Sequence, residues 1–200
     1  MKKNELLDIM RSRSGRITTA AARKAGYSAS LLRLLEEEGS VERESRGVYA
    51  LVTVPPDDFA VMALRWSRLV FSHGSALYLH GLSDRTPSRI DVTCPHGYRS
   101  NALFDEFPGT RVHAVVPERF EVGLSRSFSP TGTSVLVYDP ERCICDLLRQ
   151  RRQGKVDSQL FSGAINSYMK SKEKNLPKLA RYAERLGVAK ELRECMEVLA

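Results

Sequence analysis

The sequence lacks any long hydrophobic run. None of its 200 residues belongs to a stretch of about 18 consecutive apolar residues, so no transmembrane helix is predicted. The first ten residues contain a lysine pair, but Glu5 and Asp8 interrupt the region that would be apolar in a signal peptide. We therefore expect a cytoplasmic protein with no membrane partner.

Cysteine is scarce, with only Cys94, Cys143, Cys145 and Cys195. Thiols stay reduced in the cytoplasm, so no disulfide is expected. Cys143 and Cys145 form one close pair, whereas a zinc ribbon requires two such pairs. We interpret the cysteines as buried small side chains and predict neither a metal site nor a cofactor.

The common motifs of catalysis are also missing, including the P-loop, G-x-G-x-x-G and G-x-S-x-G. One segment does suggest a nucleophile and a base, because His73, Ser75 and His80 are followed by Asp84 and Asp91. Residues two apart do not share a helix face, however. We therefore favour the alternative that His73 and Ser75 cap a helix and that His80 lies near its end.

Asp91 is a single carboxylate in a predicted strand. Nucleotidyltransferases hold magnesium with paired carboxylates, but the neighbours of Asp91 on the same strand face are Arg89 and Thr93. No metal site is predicted there, and no catalytic residue is assigned. We do not expect the protein to be an enzyme.

Positive charge is in excess and unevenly distributed. The formal net charge is +7, and residues 1–52 hold 10 basic against 7 acidic side chains. Residues 53–140 hold 8 against 9, and residues 141–200 hold 13 against 8. Basic surfaces attract phosphate backbones, so the excess at both ends of the chain is weak evidence for nucleic-acid binding.

Three short helices are predicted within the first 40 residues. Residues 3–13 carry apolar residues at helical spacing. A second helix, residues 20–25, follows Thr18 or Thr19 as its N-cap, and a third, residues 29–38, follows Ser28 as its N-cap. The tight glycine-containing turn between the second and third helices is typical of a helix-turn-helix, whose last helix enters the major groove.

A predicted hairpin follows, with strands over residues 41–44 and 48–51 and Gly47 in the turn. Three helices and a hairpin in residues 1–52 are typical of a winged helix-turn-helix, so we predict binding of double-stranded DNA. Winged helices also mediate protein contacts, and the acidic run Glu36–Glu37–Glu38 would repel phosphate if it faced DNA. That run lies at the far end of the third helix, whereas the N-terminal residues do most of the base reading.

Candidate DNA contacts follow from position along the predicted elements. Ser28, Ser30 and Arg33 are expected on the outer side of the third helix, where Arg33 could bond a guanine through two hydrogen bonds. The other candidates are assigned chiefly to the phosphate backbone, and Arg46 to phosphate or the minor groove; they are Arg16, Thr18, Arg23, Lys24, Arg43 and Arg46. For each arginine, a solvated surface charge is the alternative.

Residues 53–58 contain two prolines and two aspartates and are predicted to be a linker. The domain that follows, residues 59–200, should begin with a helix over residues 59–68 and continue with a short strand end, a turn and a helix ending at Gly81. Strands are predicted over residues 89–94, 110–116, 125–129 and 133–138, and helices over residues 140–152, 157–170, 176–185 and 189–199. The fold class is therefore α+β: a winged helix-turn-helix, then a mixed α/β domain with a helical C-terminal tail.

A second basic cluster is predicted at the end of the helix over residues 140–152. Cations at that end suit the helix dipole, but they could also form a second electropositive surface for DNA flanks or an RNA-bearing partner. The residues are Arg142, Arg149, Arg151, Arg152 and Lys155.

Several blocks of this sequence resemble the AbiEi family of antitoxins. The blocks are residues 15–27, 39–43, 46–49, 72–84 and 87–93, and the resemblance covers roughly residues 1–155. The resemblance implies an N-terminal winged helix joined to an antitoxin domain in a type IV toxin–antitoxin system, with a nucleotidyltransferase-like toxin as the cognate partner. It further implies repression of the shared operon through promoter inverted repeats, by a possible dimer on DNA, and a role in abortive phage defence.

Two other functions remain open at this stage. One is a stand-alone regulator whose second domain binds a small molecule, which a deep apolar pocket with a few polar groups would support. The other is an enzyme targeted by its winged helix, which two carboxylates meeting in a cleft would support.

Overall fold

The computed structural model describes residues 2–98 and 101–199. The chain divides into two compact units: the first runs to Arg68 and includes Phe128–Val135, and the second comprises Leu69–Ser127 and the chain from Leu136 onward. Within the described residues, no helix combines the length and hydropathy needed to cross a membrane. Helices and sheets are both present in quantity, which confirms the α+β class.

The first unit contains the three predicted helices and a small antiparallel sheet of order β1–β3–β2. Its elements are α1 (Lys2–Arg11), β1 (Arg16–Thr18), α2 (Thr19–Lys24), α3 (Ala29–Glu37), β2 (Val41–Ser45), β3 (Val48–Leu51) and α4 (Asp58–Arg65). One core unites the elements from α1 to β3 and includes Leu6, Met10, Ile17, Leu32 and Leu35. Because Leu6 and Met10, and likewise Leu32 and Leu35, recur at helical spacing, α1 and α3 each place one apolar face on that core.

Strand β1 is a difference from the predicted arrangement, in which no strand precedes α2. Its three residues pair with β3, so that Arg16 lies opposite Ala50 and Thr18 opposite Val48. The chain turns into β1 at Gly15, which has a φ of +78° and whose carbonyl accepts from the Leu51 amide at 2.8 Å. A strand of three residues is too short to leave an alternation pattern in the sequence.

Arg16 was expected to contact DNA phosphate, and the structure contradicts this because its side chain is fully buried. Its Nε and Nη2 donate to the two carboxylate oxygens of Glu44, both at 2.7 Å. Its Nη1 donates to Thr131 Oγ1 at 2.8 Å, and Nη2 also donates to the Pro55 carbonyl at 2.7 Å. Arg16 is therefore a structural residue that joins β1 to β2 and to two loops.

Helix α4 belongs to the first unit, so the domain boundary is later than the predicted linker at residues 53–58. Asp57 caps α4 by accepting from the Ala60 amide at 3.1 Å, and its other oxygen accepts from the Thr131 hydroxyl at 2.6 Å. Near the end of α4, Arg65 donates to Ser45 Oγ at 2.7 Å. The bond from Arg65 attaches α4 to β2, and the bonds of Asp57 attach the start of α4 to the loop that contains Thr131. The proline and aspartate signals cannot reveal these connections.

The second unit is built on a five-stranded mixed sheet of order β6–β5–β4–β8–β7. Its strands are β4 (Val70–Phe71), β5 (Asp91–Pro95), β6 (Arg111–Val115), β7 (Leu124–Phe128) and β8 (Ser134–Tyr138). Strands β5 and β6 are parallel, as are β4 and β8, whereas β4 and β5 are antiparallel. The four later strands lie close to the predicted ranges, and the short β4 pairs on both sides with other strands of the sheet.

The helices of this unit are α5 (His73–Leu79), α6 (Asn101–Glu106), α7 (Pro117–Phe120), α8 (Pro140–Arg152), α9 (Ser158–Lys170), α10 (Leu176–Leu186) and α11 (Ala189–Leu199). The last four agree with the predicted ranges, whereas α6 and α7 were not predicted. Helix α8 is the buried one, because every side chain from Glu141 to Leu148 is buried. Cys94, Cys143, Cys145 and Cys195 are free thiols, the first three of them buried.

The Arg16–Glu44 pair gives a test of the first unit. We expect Arg16→Ala to lower the free energy of unfolding by about 3–5 kcal/mol, because it leaves Glu44 buried without its counter-charge. Urea denaturation followed by circular dichroism measures this loss.

Arg11→Ala is the matched control for that measurement. Arg11 forms an exposed ion pair with Asp8 on α1, and exposed pairs contribute about 0–1 kcal/mol. Equal losses for Arg16→Ala and Arg11→Ala would contradict the structural role of Arg16.

Candidate nucleic-acid interface

Helix α3 has one face in the core and one face open to solvent. Leu32 and Leu35 are buried, whereas Ser30 and Arg33 are exposed. Leu34, an apolar residue of the same helix, is 39% exposed. The outward side of α3 therefore carries the two candidate contacts predicted for it, Ser30 and Arg33.

The first turn of α3 is capped as the sequence predicts. Ser28 Oγ accepts a hydrogen bond from the Leu31 amide at 3.3 Å, and the serine remains exposed. The exposed acidic residues Glu36, Glu37 and Glu38 lie at the opposite end of the helix. The leading turn thus offers a hydroxyl, free backbone amides and Arg33, which is a combination suited to a polyanion.

The remaining candidate cations lie on α2 and on the hairpin. Arg23 and Lys24 are exposed in the last turn of α2. Arg43 is exposed on β2, and Arg46 is exposed in the turn between β2 and β3, beside Gly47 with a φ of +78°. That turn is the wing of the predicted winged helix, so the structure leaves these four cations accessible.

Thr18 caps a helix in addition to being a candidate DNA contact. Its Oγ1 accepts from the Ala21 amide at 3.0 Å, which identifies it as the N-cap of α2 in preference to Thr19. The side chain is half-buried.

The second basic cluster does not form one surface. Arg142 was assigned to it but is fully buried: its Nε donates to Asp146 Oδ2 at 2.9 Å and its Nη1 to the carbonyls of Arg119 and Val122. This burial excludes Arg142 from a phosphate-binding surface, because every one of these bonds would have to break first.

The other members of that cluster lie on different sides of α8. Arg149 is half-buried and donates to the Leu186 carbonyl. Arg152 pairs with Glu191 at 2.8 Å, and Arg151 donates to Ser158 Oγ at 3.0 Å. Lys155 is exposed and lines a pocket of about 680 Å³ together with Arg149. Only part of the cluster is therefore available to a ligand.

The histidine-containing segment does not pair Ser75 with His73 or His80. Ser75 Oγ accepts from the Asp91 amide at 2.8 Å, and His73 Nδ1 lies 3.0 Å from Ser72 Oγ. His80 is at the end of α5, as expected, and its Nε2 contacts the Tyr138 carbonyl at 2.8 Å. The expected capping by His73 and Ser75 is wrong, since Ser72 occupies the N-cap position of α5.

Sequence reasoning missed His113. The parallel pairing of β5 and β6 places His113 beside Thr93, and His113 Nε2 lies 2.7 Å from Asp91 Oδ1. The partner of Asp91 is thus a histidine from the neighbouring strand, and not a carboxylate on its own strand. No short-range pattern could have indicated it.

The N-terminal geometry agrees with a comparison to known families. Residues 4–52 match a family described as "Transcriptional regulator, AbiEi antitoxin". The N-terminal domain is therefore similar to that family over residues 4–52 and is called the AbiEi-type domain below. The match covers α1 to β3, which includes the capped leading turn of α3 and the wing, and confirms the resemblance for this domain. The family is one of transcriptional regulators.

Further comparisons cover the whole chain. No curated protein matches this sequence. Among solved structures, the chain is similar to the crystal structure of the RV2827C protein from Mycobacterium tuberculosis, with 14% identity and a TM-score of 0.43. The similarity covers 93% of this chain and 77% of that one.

The cap of α3 in the AbiEi-type domain gives a second test. We expect Ser28→Ala to lower the free energy of unfolding by about 1 kcal/mol, because the Leu31 amide loses its acceptor. Ser28→Asp keeps an acceptor at the cap and should retain the stability of the unchanged protein. Thermal and urea denaturation measure both.

Ser30→Ala is the control for this test, because Ser30 is exposed inside α3 and caps nothing. Alanine has the higher helix propensity, so no loss of stability is expected. A Ser28→Ala protein as stable as Ser30→Ala would show that the cap contributes nothing.

Proposed function

We propose that this protein is the antitoxin of a type IV toxin–antitoxin system and represses its own operon by binding inverted repeats in the promoter. The family match supports a regulator or antitoxin in general terms. The operon, the toxin and the cytoplasmic location belong to the proposal.

The observation that carries the DNA-binding part is the exposure of the leading turn of α3. Ser28, Ser30 and Arg33 are all accessible there, while Leu32 and Leu35 hold the helix on the core. The major groove of B-DNA is wide enough to admit a helix, and arginine bonded to guanine is the most common specific contact. Arg33 is therefore proposed to read a base.

The exposed cations outside α3 are proposed to contact the backbone. Arg23 and Lys24 end α2, Arg43 lies on β2, and Arg46 lies at the tip of the wing. Contacts to phosphate fix the register of a protein on DNA but carry no sequence information. Two copies of the chain would occupy an inverted repeat, with half-sites separated by whole helical turns.

A gel-shift titration on the DNA upstream of the gene tests these assignments. Arg33→Ala should weaken binding by about 1–3 kcal/mol and relax the preference at one base position. Arg46→Ala should weaken binding to all sequences and reduce the slope of log affinity against log salt by about one unit.

Two variants make that titration specific. Arg185→Ala removes one exposed positive charge from α10, outside the AbiEi-type domain, and should leave the affinity unchanged. Ser28→Asp keeps the cap but adds a negative charge to the leading turn, so it should weaken binding without loss of stability. If Arg33→Ala and Arg46→Ala bind like Arg185→Ala, the contact assignment is wrong.

The antitoxin part of the proposal concerns the second unit. A nucleotidyltransferase-like toxin is proposed to be encoded beside this gene and to be counteracted without a requirement for stable contact. Because repression and neutralisation would reside in different units, DNA binding should not be needed for neutralisation.

Growth after co-expression with the neighbouring reading frame tests that separation. The unchanged protein and the double variant Arg33→Ala/Arg46→Ala should both restore growth when expressed from a foreign promoter. A fragment limited to residues 1–68 lacks the second unit and should not restore it. Loss of rescue in the full-length double variant would contradict the separation.

A second candidate function is a stand-alone regulator whose second unit binds a small molecule. The observation that favours it is the pocket of about 680 Å³, lined by His73, His113, Arg111, Arg149 and Lys155 among others. Its charged lining differs from the apolar pocket that the sequence argument anticipated. Co-expression separates the two candidates, since a stand-alone regulator would not rescue growth.

A further inference from the structure

We propose that the second unit binds one divalent transition-metal ion through His73, Asp91 and His113. One potential ligand atom from each residue lies within 4.8 Å of those from the other two. The three side chains come from α5, β5 and β6, which are all elements of the second unit. This site is independent of the proposed DNA contacts, and its test can succeed or fail separately.

The topology of the sheet creates the cluster. Strand β4 leads directly into α5, so His73 follows a strand that pairs with β5. On the other side of β5, the parallel strand β6 places His113 opposite Thr93, and the His113 ring lies 2.7 Å from Asp91 Oδ1. The ring of His73 stacks on that of His113, with centroids 3.8 Å apart and planes inclined by 20°.

Further hydrogen bonds hold the His73 side chain and the backbone of Asp91. Ser72 Oγ lies 3.0 Å from His73 Nδ1 and accepts from Thr93 Oγ1 at 2.9 Å. The amide of Asp91 donates to Ser75 Oγ at 2.8 Å. Metal-binding histidines are held by such outer contacts. Because Nδ1 of His73 is engaged, Nε2 is the nitrogen left for a metal.

The backbone of His73 is also consistent with ligation. His73 has a φ of +49°, a strained conformation for a residue with a side chain, and such strain is concentrated at functional sites.

Binding requires a modest rearrangement of the cluster. Zinc–nitrogen bonds of about 2.0–2.1 Å place tetrahedral ligands about 3.4 Å apart, and the ligand atoms of the cluster lie within 4.8 Å of one another. The hydrogen bond between His113 Nε2 and Asp91 Oδ1, 2.7 Å long, would be replaced by bonds to the metal. An imidazole binds a metal in the plane of its ring, so the stacked rings of His73 and His113 must also rotate apart to direct their nitrogens at one ion.

The donor set selects the class of metal. Two imidazoles and one carboxylate suit Zn²⁺, Co²⁺ or Ni²⁺, whereas Mg²⁺ and Ca²⁺ prefer oxygen ligands alone. Three protein ligands leave a coordination position open. His73 and His113 both line the adjoining pocket, and its exposed Arg111 and Lys155 favour an anion as the fourth ligand.

Cobalt and zinc titrations of the full chain, after removal of metal with EDTA, test the proposal. We expect one ion per chain, with a Co²⁺ spectrum of nitrogen and oxygen ligands and an increase in melting temperature with Zn²⁺. His113→Ala and Asp91→Asn should each lower the affinity at least about tenfold, in line with the loss of ligands or their supports. Excess Mg²⁺ should not compete.

Controls separate this site from other metal-binding groups. His96→Ala removes an exposed histidine outside the cluster and should bind Co²⁺ like the unchanged protein. No cysteine belongs to the proposed cluster, so no thiolate-to-cobalt charge-transfer band is expected.

Circular dichroism should verify that the variants are folded, and His113→Gln provides a conservative replacement if His113→Ala is not. The proposal is overturned if folded His113→Ala or His113→Gln binds Co²⁺ as tightly as His96→Ala. A thiolate band, or the absence of saturable binding by the unchanged protein, would also overturn it.

Discussion

The buried guanidinium of Arg16 is the interaction on which the winged-helix unit depends. It binds both carboxylate oxygens of Glu44 and also reaches Pro55 and Thr131. A buried ion pair of this kind is not a large net source of stability, but the loss of one partner is costly. The main effect of the Arg16–Glu44 pair is on geometry. It fixes β2, the strand that leads into the wing, relative to β1 and to the start of α2.

The local elements of this fold could be predicted because they depend on local signals. The apolar spacing in α8 to α11 and the capping residues Thr18 and Ser28 act over a few residues, and the structure agrees with both. Strand β1 and helices α6 and α7 were missed because each is too short to show a period. The attachment of α4 to the first unit depends on Asp57 and Thr131, which are 74 residues apart.

The candidate site was only partly predictable, because the burial of a side chain depends on contacts that the local sequence does not show. Arginines at positions 16 and 142 look like surface cations in the sequence, yet both are buried with carboxylate partners. The partner of Arg16 is 28 residues away, and that of Arg142 is a helical neighbour four residues along. Likewise, Asp91 finds its contact on an adjacent parallel strand, which alternation of polar and apolar residues cannot identify.

The burial of Arg16 changes which residues account for the exposed positive charge of the first unit. Arg16 and Glu44 neutralise each other inside the protein, so the exposed cations of α2, α3 and the wing carry the electropositive surface. Glu36, Glu37 and Glu38 are exposed at the C-terminal end of α3, where acidic residues are unfavourable for the helix dipole by about 0.3–1 kcal/mol each. For Glu38, an ion pair with Lys3 offsets this unfavourable interaction. The resulting gradient along α3, from Arg33 to the acidic run, favours approach to a polyanion by the leading turn and disfavours approach by the opposite end.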